Sequence, residues 1–215
     1  VTDDRKVNLR YSTELDTSDR HGAGPFSFEV VEPLERWRLR VGPNPAGVEL
    51  DVLWTARTPA WWTSLEVATT GGEPTAFDHL VQSGRYVGTL RIDGRDHDVT
   101  GWYGQRDRSR GVRTLSGGQG IHVWFQAQFP DRSVGFLLVE SRDQERILLE
   151  GSVMGEDGTL DDVVDVRHDL TFDDLDLVGG TVEVVTASGR VQRISADATV
   201  TKGGFLAGGG YGGHH

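Results

Sequence analysis

Apolar residues in this chain recur at every second position, in short runs separated by turn residues, and no long segment repeats them at helical spacing. Side chains alternate across a strand but recur every 3.6 residues on a helix face, so the pattern predicts an all-β chain. Strands are expected over 6–12, 25–32, 37–41, 48–57, 85–93, 95–103, 121–129, 134–141, 146–154, 163–172, 181–187 and 189–200. Glycine, 29 of 215 residues, is about twice as common as usual and supplies the breaks. Asp93-Gly94 and Asp157-Gly158 suit tight hairpins, which need positive φ, while Ser188-Gly189 and Pro130-Asp131 mark further turns. Neighbouring strands joined by short loops make an antiparallel meander, and about twelve of them exceed one eight-stranded barrel.

The alternation breaks most clearly between Thr58 and Pro74, at Pro59, Trp61-Trp62 and Gly71-Gly72. We therefore expect a partial first β unit over 1–58, a linker over 59–75 with room for one short helix, and a fuller second barrel over 76–215. The Gly-rich end, Gly208-Gly-Gly-Tyr-Gly-Gly213, reads as a flexible loop. The chain opens on Val1 and closes on His214-His215, as a processed product or a fragment does, and those histidines read equally as native or as a tag remnant.

Charge narrows the partners. Lys and Arg total 22 against 33 Asp and Glu, a net charge of −11, whereas nucleic acids and anionic membranes demand a basic footprint. No run approaches the ~20 apolar residues of a membrane span. With no Cys there is neither a disulfide nor a thiolate ligand. The compartment is unknown, with the cytoplasm favoured, and the oligomeric state stays open. Nucleophile elbows, phosphate loops, dinucleotide fingerprints and H-E-x-x-H are absent from the sequence, so no cofactor is implied. The acidic run of Asp161, Asp162, Asp165, Asp169, Asp173, Asp174 and Asp176 lacks calcium-loop spacing and reads as a solvated face; no metal site is expected.

If Asp93-Gly94 forms a hairpin loop, Ile92 faces Arg95, Leu90 faces His97 and Arg91 faces Asp96. His97 then shares an interior face with Tyr86, Leu90 and Val99, as a core histidine or a pocket acid. Without a bulge, alternation carries Tyr103, Gln105 and Asp107 onto that face and Arg106 and Arg108 onto the other. Gly101 and Gly104 permit a bulge, which would invert the assignment. Asp107 stands among Arg106, Arg108, Arg110 and Arg113, and such neighbours favour its ionised form, in a structural ion-pair knot or in a functional site. On the strand over 121–129, His122, Trp124, Gln126 and Gln128 share one face, as a pocket lining or a solvent face. His168, in register with Val166 and Leu170, reads as a core histidine.

The stretch Gly104-Gln-Arg-Asp-Arg-Ser-Arg-Gly111 resembles the G-x-x-D-H-x-W-G signature of carotenoid 1,2-hydratase and AttH-like proteins. It is more similar still to the G-x-R-D-H-S-W-G-x-R form of uncharacterised actinobacterial relatives. His79-Leu-Val-Gln82 with Gly88 resembles their H-x-x-Q-x-G run, and Glu32-Pro-Leu-Glu-Arg-Trp37 their E-P-L-x-x-W; the similarity spans 26–213. The resemblance implies two lipocalin-like antiparallel β-barrels, the first incomplete and the second fuller, around a pocket for a hydrophobic small molecule. It also implies a cofactor-independent hydratase or cyclase, of the kind that protonates an alkene or folds a polyene for cycloaddition. By position, Asp107 matches the acidic residue and His79 the upstream histidine, with Tyr103 and Gln105 as pocket hydrogen-bonding groups. Arg113 would hold Asp107, and Trp124, His122, Gln126, His97 and Gln82 would line the ligand. Gln105, Arg108 and Arg110 stand where the relatives have Tyr, His and Trp. A non-catalytic carrier of a hydrophobic ligand and a structural β-module are the alternatives.

Overall fold

The computed structural model describes residues 21–67, 75–112, 119–173, 176–197, 204–207 and 211–214, and among them every regular element is a β-strand. The expected strand over 6–12, and Arg113, lie outside the described residues. Two antiparallel sheets carry the fold, which is the lipocalin-like all-β architecture expected. The first contains β1 (His21–Ala23), β2 (Phe26–Glu32), β3 (Arg36–Val41), β4 (Val48–Ala56), β5 (Trp61–Val67), β6 (Thr75–Ile92), β7 (Arg95–Asp98) and β8 (Tyr103–Val112). The second runs in chain order through β9 (Gln119–Gln128), β10 (Arg132–Ser141), β11 (Arg146–Gly155), β12 (Leu160–Asp173), β13 (Asp176–Thr186) and β14 (Val191–Asp197). A last hairpin pairs β15 (Gly204–Ala207) with β16 (Tyr211–His214), where the glycines had suggested an unpaired loop. Among the described residues no helix is long and apolar enough to cross a membrane.

Strand β6 organises the first sheet because it is long enough to take two partners on each side. On one side it pairs β5 with its first half and β4 with its second; on the other it pairs β8 and then β7. Residues 59–75, expected to link two units, thus supply β5, and no helix forms there among the described residues. The segment is a strand because Trp61-Trp-Thr-Ser-Leu-Glu does alternate: Trp61 is buried and Trp62 exposed. One sheet therefore runs from His21 to Val112, and the chain changes sheets between Val112 and Gln119.

The Asp93-Gly94 hairpin forms with the expected register, Ile92 against Arg95 and Leu90 against His97, with positive φ at both turn residues. Arg91 and Asp96 meet at 2.6 Å. Beyond it the alternation is not carried through. The chain turns over 99–102, with Gly101 at φ 85°, and β8 re-enters one residue out of step, Tyr103 facing Arg85 rather than Gly84. That slip moves Tyr103, Gln105 and Asp107 to the face opposite His97 and Tyr86, because one residue of register exchanges the two faces of a strand.

The second sheet is buried on both sides along β10 and the second half of β11. Val134, Phe136 and Leu138 of β10 pack with Val153, Val163, Val166, Val182 and Val184 in the main core. The alternate residues Ser133, Leu137 and Val139 are buried too, which is why β10 reads as an unbroken apolar run. This second face meets the first sheet, where Trp61, Val81 and Met154 form a small cluster. Trp61 Nε1 donates to Asp162 at 2.9 Å, and Arg57 donates to Glu156 and to the carbonyls of Phe129 and Arg132. Asp161 accepts from Ser188 and Asp165 pairs with Arg146, so three members of the acidic run hold partners instead of facing only solvent.

Gly84 and Gly104 face each other across β6 and β8, and the ring of Trp54 lies against both. A Cβ on Gly84 would collide with that indole and with the Thr55 carbonyl. Gly84→Ala should therefore lower stability by about 1–3 kcal/mol in urea unfolding, the usual cost of forcing a packed site apart. Val87→Thr, at a 52% exposed position of the same strand, should stay within about 0.5 kcal/mol.

Candidate functional site

His79 projects from β6 into the junction of the two sheets. Its Nε2 lies 2.7 Å from Asp107 Oδ2 on β8, and its Nδ1 lies 2.7 Å from Glu150 Oε1 on β11. His79 and Glu150 are buried, while the Asp107 side chain keeps 33% of its surface open. A neutral imidazole has one N–H and can donate to only one of two carboxylates. Both contacts are satisfied when one further proton resides in the triad, most simply as an imidazolium between two carboxylates. Burial pulls the His79 pKa down, but the hydrogen bonds from Asp107 and Glu150, and then their charges, outweigh it and push it up to about 9. Glu150 Oε2 is buried without a hydrogen-bond partner among the described residues.

The curled first sheet forms a half-barrel that lines an open cavity of about 650 Å³ on its other face. Phe28, Val30, Trp37, Leu39, Trp54 and Tyr86 form its apolar wall, His21 closes one end, and Gln105, Arg106, Asp107 and Arg108 border it along β8. Asp107 thus stands at the rim of the cavity and bonds to His79 behind it. Gln105 Nε2 is buried without a hydrogen-bond partner among the described residues, on the face of β8 that it shares with Asp107. Arg106 lies over the Trp37 ring, 4.5 Å from its centre. The arginine knot expected around Asp107 does not form among the described residues. Alternation along β8 turns Arg106 and Arg108 to the cavity face and leaves Asp107 to His79.

The remaining sequence-predicted residues lie elsewhere. Tyr103 is 39% exposed, and the guanidiniums of Arg57 and Arg85 each lie 4.7 Å from its ring centroid. Gln82 is buried and its amide ties the carbonyls of Leu34 and Thr58, a structural brace outside the cavity lining. His97 is exposed on β7 rather than in a core. His122, Trp124 and Gln126 share a face of β9, as expected, with Val123 and Phe125 on the core side. Trp124 is 48% exposed, and none of the three borders the cavity. His168 approaches Glu140 at 3.4 Å. Among the described residues no His/Asp/Glu group is arranged to hold a metal ion. Glu150 escaped the sequence reading; its one signal is a lone carboxylate inside the apolar strand Leu148-Leu-Glu-Gly-Ser-Val-Met154.

The sequence profile of a family described as "Domain of unknown function (DUF7064)" matches residues 2–206. No curated protein matches the chain. Among solved structures, the fold is similar to a crystal structure from Nitrosomonas europaea provisionally named an AttH, with a TM-score of 0.58 at 16% identity. The alignment covers 91% of this chain and 68% of that one. At this identity the likeness is one of fold.

The triad makes stability pH-dependent in a defined direction. Between the unfolded value of 6.5 and about 9, folded His79 holds a proton that the unfolded chain has released. The contribution is whole below about pH 6.5 and is lost as pH rises through about 9. At 1.36 kcal/mol per pK unit it is about 3 kcal/mol. Urea midpoints measured from pH 6 to 10 should fall with pH, and His79→Gln should flatten that slope while lowering stability at pH 6. Glu150→Ala strands a buried imidazolium and should cost about 3–5 kcal/mol. Asp107→Asn, at a carboxylate open to water that the amide can mimic as an acceptor, should cost less than half of that.

Proposed function

This chain belongs to the DUF7064 family, and from that premise and the site geometry we propose that it binds an apolar small molecule in the half-barrel and acts on it by cofactor-independent acid–base chemistry. The reaction class is alkene hydration, isomerisation or cyclisation of a polyene- or terpenoid-like substrate. One observation carries this reading: Asp107 both borders an apolar cavity and is hydrogen-bonded to a proton-holding His79. The likeness in fold to the AttH-named structure is consistent with it. In a hydration, Asp107 would pass a proton taken from His79 to one alkene carbon, and its carboxylate would then face the developing carbocation, an electrostatic stabilisation strongest where water is excluded. Water adds to that cation and returns a proton to Asp107.

A second reading, a carrier without turnover, draws on the same histidine. A proton held up to about pH 9 is a reluctant one for an alkene, which needs a strong acid. In a carrier the triad is a clamp between sheets and only the cavity is functional. Incubation of the protein with a panel of polyenes and terpenoids in ¹⁸O-water, followed by mass spectrometry of extracted products, separates the two for hydration. Product patterns without label report isomerisation or cyclisation. The enzyme reading expects turnover that falls by about 10²-fold or more in Asp107→Asn, with ligand affinity retained. Binding without turnover in the wild-type protein leaves the carrier.

A further inference from the structure

The first sheet pairs most of its arginines. Arg36 meets Glu32, Arg38 and Arg40 meet Asp51, Arg57 and Arg85 meet Glu156, and Arg91 meets Asp96, all within 4 Å. Of the four left without such a pair among the described residues, Arg95, Arg106, Arg108 and Arg110, only Arg106 and Arg108 border the cavity. Among the described residues neither has a carboxylate partner, although the chain carries 33 acidic residues against 22 basic ones. The neighbouring carboxylate, Asp107, is turned to His79. Arg106 is half-buried, and its Nη1 is buried without an acceptor. Burial, and then the charge of Arg108, lower its pKa. Stacking on Trp37 offsets only part of the cost of desolvating a guanidinium. Such an arrangement is costly in the free protein and favourable once an anion lies against it.

We propose that the half-barrel takes an amphipathic carboxylate, its apolar body against Phe28, Val30, Trp37, Leu39 and Trp54 and its carboxylate held by Arg106 and Arg108. Two features select this class. The wall beside the arginines is aromatic and aliphatic, and Phe28 and Val30 remain 38% and 37% exposed, so a hydrocarbon chain would cover surface now in water. The guanidinium of Arg106 is held over the Trp37 ring, and its planar fork suits two-point pairing with a carboxylate. A neutral terpenoid would leave both charges unanswered. The assignment rests on the reading of the cavity as an apolar small-molecule site and specifies which end of the ligand is polar.

The test compares dodecanoic acid with methyl dodecanoate and 1-dodecanol, equal in chain length and different in charge. Trp37 and Trp54 line the cavity, so quenching of tryptophan fluorescence reports binding, with melting curves confirming that each variant is folded. The acid should bind the wild-type protein about tenfold or more tightly than either neutral probe, the scale of a charge-assisted hydrogen bond. Arg106→Gln should abolish that preference while leaving the affinities of the ester and alcohol within about twofold. Equal affinities of acid and ester for the wild-type protein would overturn the carboxylate assignment and leave the apolar-ligand reading standing. So would a preference that survives Arg106→Gln with Arg108→Gln. If none of the three probes binds, both fall together.

Discussion

A single protonated imidazole ties the two sheets together, and much of the molecule is arranged around that contact. His79 leaves the strand that organises the first sheet and reaches a carboxylate on each side of the junction, Asp107 within its own sheet and Glu150 across the boundary. The other bridges between sheets are of ordinary kinds. Trp61 donates to Asp162, Arg57 to two carbonyls and Glu156, Gln128 to the Gly104 carbonyl, and Trp61 and Val81 pack on Met154. Those contacts need no shared proton. The triad does, because two carboxylates on one neutral ring would set a lone pair against an oxygen. Removing one member leaves a buried charge unanswered, a larger penalty than the triad's net worth when intact.

The second sheet makes this junction possible where it is buried on both faces, along β10 and the second half of β11. On β10, Val134, Phe136 and Leu138 serve the main core, while Leu137 lies between Glu150 and Trp124 on the face turned to the first sheet. A carboxylate at position 150 is thus enclosed by protein on every side without entering the main core. Among the described residues its only hydrogen-bond partner is the histidine of the other sheet. That dependence fixes how the sheets meet, since sliding one strand by a residue would bring Leu149 to the junction in place of Glu150.

Short-range features were legible in the sequence and long-range ones were not. The Asp93-Gly94 hairpin, its register and the Arg91–Asp96 pair depend on a few adjacent residues and on turn chemistry that admits few alternatives. The faces of β9 followed from alternation for the same reason. The pairing of His79 with Asp107 was suggested only by the resemblance of two motifs, because nothing local joins residues 28 positions apart. Glu150 was invisible because its partner lies 71 residues away on another sheet. The parity of Asp107 turned on whether Gly101 formed an irregularity, and local sequence permits either state; the slip occurs. β5 was missed because Pro59 and the paired tryptophans look like an interruption, although Trp61 is buried and Trp62 exposed as in any half-buried strand.

That slip gives β8 two separate tasks. Alternate residues turn to opposite faces, so Asp107 serves the junction with His79 while Arg106 and Arg108 serve the cavity. Adjacent positions in the signature-like stretch are therefore free to vary independently. On the resemblance of the two motifs, Asp107 and His79 stand at the acidic and upstream-histidine positions, and loss of that histidine would unpair the buried Glu150. On the same resemblance Arg108 and Arg110 stand where those proteins have His and Trp; Arg108 borders the cavity and Arg110 lies opposite Asp78, and among the described residues neither bonds to the triad. The constraint on Asp107 comes from the histidine and glutamate that hold the sheets together, whereas the constraint on Arg108 comes from whatever occupies the cavity. Under that division, a relative with different residues at 106 and 108 would preserve the architecture and bind a ligand of different polarity. A relative without the histidine would need another residue to answer Glu150, such as a neutral Gln in its place.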